Sequence, residues 1–161
     1  MPIYIKYGDI KGDVTAEGHK GTDGWVEVSS FQFGIGRGIA SATGGSADRE
    51  SSAPSVSEIV VTKTMDKSSY RWFEESLWGE GVVVQIDFCK TDKDKLEVYT
   101  SYKLEDAMVS GYSVSSGGDR PSESISINFT KILYEFNEMN SKNTSGETPK
   151  AGWDIATAKK V

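Results

Sequence analysis

The sequence has little of what most catalytic and metal sites are built from. Its 161 residues include one cysteine, Cys89, and one histidine, His19. A single cysteine excludes an internal disulfide and any CxxC site, and a single histidine excludes zinc sites that need two or three. No G-x-S-x-G elbow is present and no histidine lies beside Cys89 in the sequence. We therefore expect a structural or solvated histidine and a thiol that is not a nucleophile.

Other absences narrow the class of partner. No apolar run approaches the roughly 18 residues of a membrane-spanning helix, and the first residues lack the apolar region of a Sec signal. Lys and Arg total 18 against 24 Asp and Glu, a net charge of −6, which argues against nucleic acid and anionic membranes. The expectation is no nucleic acid, no membrane insertion and no cofactor.

Two motifs, one rich in glycine and one with two aspartates, resemble ligand-binding loops but lack residues that such loops require. Gly34, Gly36 and Gly38 lack the further Gly of a dinucleotide loop and the Lys-Ser/Thr of a phosphate loop. Asp92-x-Asp94 lacks the Gly and Glu of a calcium loop. No two carboxylates are brought together by the sequence, so the chain is predicted not to be an enzyme and to hold no metal.

What the chain does have is apolar alternation with a period of two. Val82, Val84, Ile86 and Phe88 alternate with other residues and predict a half-buried strand whose even positions face the core, with Cys89 on the other face. A charged turn and a second alternating run at 96–104 complete a predicted hairpin. Similar runs predict seven or eight strands in one domain, 1–161. The fold class is mainly β, as a small barrel or a sandwich.

One segment has helical spacing instead. Tyr70, Phe73, Leu77 and Trp78 recur at i, i+3, i+7 and i+8. Asp66 or Ser68 can cap the start and Gly79 can end the helix. The helix is short, so it must pack against the sheet to form.

Residues 34–55 form a long segment in which ten of 22 residues are Gly or Ser. A loop of this length inside a domain is uncommon and is usually functional or disordered.

Lys63 occupies an apolar row of the strand predicted within 56–65. Such a lysine extends its stem to solvent, pairs with a carboxylate or faces a neighbouring subunit. Pairing or a subunit interface is favoured over catalysis.

Several segments together resemble the haemolysin co-regulated protein (Hcp) family, the tube protein of bacterial type VI secretion. They follow one another in family order over nearly the whole chain. They are IKYGDIKGD at 5–13, HK at 19–20, WVEV at 25–28, VTKTMDKSS at 61–69, YSV at 112–114, GGDR at 117–120, Glu123, INF at 127–129 and GWDI at 152–155.

The resemblance implies a two-sheet antiparallel β-barrel with one short side helix. It also implies hexameric rings that stack into a tube, with a spike protein, a sheath and effectors carried in the lumen as partners. The protein would assemble in the bacterial cytoplasm and then be secreted without a Sec signal. A phage-type tail-tube protein and a monomeric β-barrel binding protein or enzyme are the alternatives.

The resemblance also assigns roles to residues. The segment 34–55 would be the extended loop that reaches a neighbouring ring, and contacts of this heterologous kind close into rings or propagate as filaments. The ring-to-ring candidates are Arg37, Ile39, Asp48, Arg49 and Glu50. Candidates for a subunit interface or for structural pairing are Lys63, Asp119, Arg120 and Glu123.

The helix departs from the family pattern because it is unusually aromatic, with Tyr70, Trp72, Phe73 and Trp78. Those of its aromatic residues that face outward would form a patch for another subunit. The segment 76–81 also lacks the Cys-Ser-rich turn seen in many members of the family.

Overall fold

Twelve strands and one α-helix make up the described part of the protein, which in this computed structural model comprises residues 1–39, 53–92, 94–137 and 149–161. The helix α1 spans Ser69–Trp78 and a short 3₁₀ turn spans Gly21–Asp23. The strands are β1 (Ile3–Tyr7), β2 (Trp25–Val28), β3 (Ser30–Gln32), β4 (Ile35–Gly36), β5 (Ser55–Val56), β6 (Ile59–Thr64), β7 (Val82–Asp92), β8 (Lys95–Ser115), β9 (Ser122–Asn128), β10 (Lys131–Phe136), β11 (Lys150–Asp154) and β12 (Lys159–Lys160).

All strand pairs in the described residues are antiparallel. One series of pairings runs β12-β11-β10-β8-β7-β1-β2, and a second runs β8-β9-β6-β3. The predicted hairpin is confirmed, since β7 pairs with β8 along most of its length. Within the described ranges, strands β4 and β5 pair only with each other and form a separate two-stranded ribbon.

The 21-residue strand β8 takes part in both series of pairings. Its first part pairs with β7 and β10, and from Met108 onward it pairs with β9. The change of partner coincides with Asp106, whose φ is 51°, and with a register shift between Val109 and Gly111. Bulges and positive φ values of this kind bend a strand, so one strand can contribute to two sheets.

Two further junctions join the sheets. Strands β9 and β10 follow one another and pair with different parts of β8, β9 with Met108–Ser115 and β10 with Thr100–Glu105. The buried apolar positions change accordingly from odd numbers, at Ile125 and Ile127, to an even number, at Ile132. Ser29 separates β2, which pairs with β1, from β3, which pairs with β6. A mainly β, antiparallel fold with one helix is therefore confirmed. Pairing among the described strands does not by itself close a barrel, and the closed two-sheet barrel stays a prediction.

The main core lies between the sheets and receives side chains from almost every long strand. Ile5, Val61, Ile86, Leu104 and Ile125 are all fully buried. The even positions of β7 face this core, as the alternation predicts, because Val84 and Ile86 are buried and Val82 and Phe88 pack against it.

Helix α1 is confirmed, with Ser68 before it and Gly79 after it, but its aromatic stripe does not face the sheet. Trp72 is the large side chain that α1 buries, and its ring lies 5.0 Å from that of Tyr7. The stripe residues are between 54% and 68% exposed: Tyr70, Phe73, Leu77 and Trp78. The buried contacts of the helix thus come from one indole and the small Ser68 and Ser69 side chains, with the Arg71–Asp9 ion pair at its edge, and the periodic apolar face points outward.

Candidate functional site

Lys63 lies at the centre of a buried polar network. It stands opposite Glu123 in the β6–β9 pairing, and each residue is 1% exposed. The Lys63 Nζ donates to Glu123 Oε1 at 2.7 Å, Asp66 Oδ1 at 3.0 Å and the Thr64 carbonyl at 3.0 Å. An ammonium group has three protons to donate, so this arrangement provides an acceptor for each of them.

Glu123 is satisfied in the same way from the other side. Ser69 Oγ donates to Glu123 Oε1 at 2.6 Å, and the Tyr112 hydroxyl donates to Oε2. Burial alone would raise the pKa of Glu123, but the hydrogen bonds from Lys63, Ser69 and Tyr112 outweigh it and hold the pKa below its ordinary value. Burial and the bond to Glu123 raise the pKa of Tyr112.

The network also fixes where α1 begins. The Asp66 carboxylate accepts from the Ser68 backbone N–H at 2.8 Å, and the Asp66 N–H donates to Ser69 Oγ at 3.0 Å. Ser68 Oγ in turn accepts from the indole Nε1 of Trp72 at 3.1 Å. The chain from Lys63 to Trp72 is therefore tied to β9 through Glu123, which anchors the helix to the sheet.

Asp119 and Arg120 lie on the surface rather than in the network. Both are exposed. Arg120 Nε donates to the Met65 carbonyl at 2.6 Å, next to the network, and the Asp119 carbonyl accepts from Ser116 Oγ at 3.0 Å. The structure thus brings together Lys63 and Glu123, with Arg120 at the margin, while Asp119 lies in the turn before β9.

Two of the five candidates for ring-to-ring contacts lie in the described residues. Arg37 and Ile39 are exposed and come just after β4, whose pairing with β5 holds the two ends of the loop side by side. Asp48, Arg49 and Glu50 lie outside the described residues.

A second buried cluster was not predicted from the sequence. His19 is 7% exposed and its Nε2 lies 2.8 Å from Asp87 Oδ2, while Gln85 donates to Asp87 Oδ1 at 3.0 Å. The imidazole stacks on Tyr4, with ring centres 5.0 Å apart, and meets the edge of Trp25 at 4.4 Å. The histidine is therefore structural. Asp87 and Cys89 lie on the face of β7 opposite the core, and only the structure shows that the loop carrying His19 covers it.

Close backbone packing at two glycines holds that loop in place. Gly12 N–H donates to the Gly21 carbonyl at 3.2 Å, and Gly21 N–H donates to the Val14 carbonyl at 2.7 Å. A Cβ at Gly21 would fall 1.9 Å from the Gly12 oxygen, so any larger residue would force the loop open.

The geometry around Cys89 does not form a catalytic relay. Its Sγ lies 4.0 Å from His19 Nε2, the same nitrogen that contacts Asp87. A nucleophile–histidine–carboxylate relay needs the two partners on opposite ring nitrogens. Burial, with the Asp87 charge adding to it, raises the pKa of the Cys89 thiol to about 12, so the thiol stays protonated at neutral pH.

Two properties of the described residues concern metal ions and membranes. They contain no group of three or more His, Cys, Asp or Glu side chains placed to hold a metal ion. Across the same ranges, no helix has the length and apolar character needed to cross a membrane.

The lowered pKa of Glu123 predicts a pH-dependent stability. In the unfolded chain a glutamate takes up its proton near pH 4.3, whereas in the folded chain it does so at lower pH. The stabilisation is present above the unfolded pKa and is lost as the pH falls through the folded pKa. Glu123→Gln is expected to lower the free energy of unfolding at pH 7 by about 1–3 kcal/mol, less than the loss of a whole buried pair, because Lys63 keeps Asp66 as a charged partner. This difference should shrink below about pH 4.3.

Urea unfolding of both chains at pH 7, 5, 4 and 3 measures this difference. Glu17→Gln, at an exposed carboxylate, is the control and should track the unmodified chain at each pH. A difference between the Glu123→Gln and unmodified chains that stays constant across the series would contradict the assignment.

The backbone is similar to those of solved type VI secretion proteins. A structure described as a type six secretion system protein matches with a TM-score of 0.88 at 27% identity, covering 99% of each chain. An effector of the system from Yersinia pestis matches at 0.73 and 20% identity, covering 95% of this chain and 99% of the other. Hcp1 from Salmonella typhimurium matches at 0.74 and 19% identity, covering 99% and 98%. The fold is therefore that of this class of secretion protein.

A family model narrows the class to one family. The model described as "Type VI secretion system effector, Hcp" matches residues 4–136. The chain therefore belongs to the Hcp family, the tube proteins of type VI secretion, and the resemblance drawn from its motifs is confirmed. No curated protein matches the sequence.

Proposed function

We propose that this chain is a non-enzymatic tube subunit that forms hexameric rings. The rings stack into a tube, are secreted from the bacterial cytoplasm without a Sec signal and carry effector proteins in the lumen. The spike protein and the sheath are its further partners. The observation that carries the proposal is the family match over residues 4–136, joined to a structural likeness that spans 99% of the chain.

The arrangement of the sheets supports a tube wall. Strand β8 and the β2–β3 segment each connect the two series of paired strands, and together with β6, β7 and β9 they enclose one core. We propose that the sheets close into the barrel expected from the family. A subunit of this kind acts by its surfaces, so its assembly needs neither a nucleophile nor a metal.

The site residues divide between two roles in this proposal. Lys63 and Glu123 act in structural pairing inside a subunit, because each is almost fully covered and contacts the other. Asp119 and Arg120, exposed in the turn before β9, are proposed subunit contacts. The extended loop, with Arg37, Ile39, Asp48, Arg49 and Glu50, is proposed to contact the next ring.

Removing residues 40–52 is expected to leave rings intact and to abolish stacking. The β4–β5 ribbon holds the ends of this segment together, so a short Gly-Ser link can replace the segment with little strain on the rest of the fold. Light scattering should give the same ring mass for the shortened and unmodified chains. Negative-stain images should show tubes only for the unmodified chain, and tubes formed by the shortened chain would contradict the role given to the loop.

A further inference from the structure

The outward side of α1 carries an apolar surface that a lone subunit leaves in water. We call Tyr70, Phe73, Leu77 and Trp78 the outer helix face; they are 64%, 54%, 60% and 68% exposed. Aromatic side chains present about 150–250 Å² each, so this face exposes roughly 500 Å² of apolar surface, near the upper end of what monomers show. Single exposed apolar side chains are ordinary, but four on one face of a ten-residue helix mark an interaction surface.

A concave apolar surface lies elsewhere on the same chain. Phe33, Ile35, Tyr102, Tyr134 and Trp153 line a cavity of about 330 Å³, which we call the apolar groove. Ile35 is 62% exposed and Tyr134 is 37% exposed. The volume lies at the lower end of the ~300–1,000 Å³ range of pockets that hold small organic groups, which suits one or two aromatic side chains.

The two surfaces are built from different parts of the chain. The Phe73 ring on α1 is 6.4 Å from that of Tyr112, near the end of β8, whereas Tyr102, in the part of β8 that pairs with β7 and β10, belongs to the groove wall. Within one subunit α1 is anchored by the buried Trp72 and by the network around Lys63 and Glu123, so its outer face does not reach the groove of the same chain. A convex patch and a complementary pocket at different places on one molecule make a head-to-tail contact between copies, which closes into rings or propagates as a filament.

The net charges beside the two surfaces are opposite in sign. On α1, the single cation Arg71 pairs with Asp9, Glu74 and Glu75, and the exposed Glu80 follows the helix, so acidic groups are in excess there. At the groove, Lys160 stands opposite Trp153 and Lys159 opposite Asp154 in the β11–β12 pairing, so a lysine is in excess there. Opposite charges around an apolar contact guide the two surfaces together and fix their register.

We propose that the outer helix face of one copy docks in the apolar groove of a neighbouring copy. This inference rests on the proposed function, because it names the surfaces that subunits of the tube use to bind one another. The occupant of the groove is a second copy of this chain.

Cross-linking between single cysteines placed on the two surfaces tests the contact. The double variant Glu74→Cys, Ala151→Cys places one thiol on α1 beside the outer helix face and one in the groove wall and keeps every apolar side chain of the contact; treated with a short bis-maleimide, it is expected to give a ladder of linked chains on a denaturing gel. Each single variant has one new thiol and should give dimers at most. The native Cys89 does not interfere, because it is fully buried and its pKa is raised to about 12. A double variant that stays unlinked while it assembles like the unmodified chain would overturn the proposal.

Loss of assembly in a surface variant is the second test. Phe73→Ser, Trp78→Ser is expected to stay folded by circular dichroism, since both side chains are more than half exposed, and to lose at least tenfold in association. Trp78→Ser alone serves if the double variant fails to fold. Met108→Ser, at a 44% exposed site outside both surfaces, should assemble normally.

The outcomes separate this inference from the proposed function. If the unmodified chain forms rings and the Phe73→Ser, Trp78→Ser chain forms the same rings and tubes, the docking inference fails and the tube function stands. The outer helix face would then serve a partner other than this chain. If the unmodified chain stays a monomer at every concentration, both fail.

Discussion

Replacing Lys63 with methionine is expected to lower the free energy of unfolding by about 3–5 kcal/mol, the usual result of removing one partner of a buried ion pair. Methionine keeps most of the length of the side chain and removes the ammonium group. Glu123 would then be a buried carboxylate that has lost its 2.7 Å contact with Lys63. The Ser69 and Tyr112 hydroxyls would remain as its donors, and two neutral donors do not replace a charge.

Urea unfolding at pH 7 of three variants measures this effect and its cause. Adding Glu123→Gln to Lys63→Met removes the unpaired charge while keeping an acceptor oxygen, so the double variant should regain part of the lost stability. Lys67→Met is the control, because that ammonium group is 54% exposed in its side chain and lies 3.6 Å from Asp13. Pairs of this kind contribute about 0–1 kcal/mol. A Lys63→Met chain as stable as Lys67→Met would show that the network does not hold α1 to the sheet.

Replacing the two tryptophans of α1 is expected to have very different effects on the free energy of unfolding. Trp72→Ala should cost about 3–5 kcal/mol, as removal of a fully buried aromatic side chain leaves a cavity. Trp72 is 0% exposed and its indole also donates to Ser68 at the start of the helix. Trp78→Ala, at a residue that is 68% exposed on the same helix, should change the stability of the single subunit by less than about 0.5 kcal/mol.

The comparison requires conditions in which subunits are separate, because association adds to apparent stability. Urea unfolding followed by far-ultraviolet circular dichroism, at protein concentrations low enough that halving them leaves the midpoint unchanged, meets this need. Equal losses from Trp72→Ala and Trp78→Ala would mean that the orientation of α1 described above is wrong.

The strands were predictable because burial on one face leaves a period of two in the sequence. Val84 and Ile86 show this directly, and Lys63 was placed correctly in the apolar row of β6 for the same reason. The helix was predictable from its spacing, but its orientation was not. A periodic apolar stripe indicates a helix, but it does not show whether the stripe packs against the core of the same subunit. In α1 Trp72 faces the core and the stripe faces outward.

The candidate site was predictable only where the two interacting residues stand opposite each other in paired strands. Lys63 and Glu123 stand opposite each other in adjacent strands, and the family motifs point to both. The pair of His19 and Asp87 was not predictable, because 68 residues separate them and the covering loop carries no periodic pattern. The sequence does not indicate that the loop carrying His19 covers the outer face of β7 and shields it from solvent.

The most direct test of the tube assignment is the mass of the unmodified chain in solution. Light scattering on the eluate of a gel-filtration column measures it without reference to shape. A hexameric ring predicts a mass about six times that of the 17.6 kDa chain, or larger multiples of that ring where rings stack. A mass of 17.6 kDa that persists as the protein is concentrated would contradict the ring and, with it, the tube.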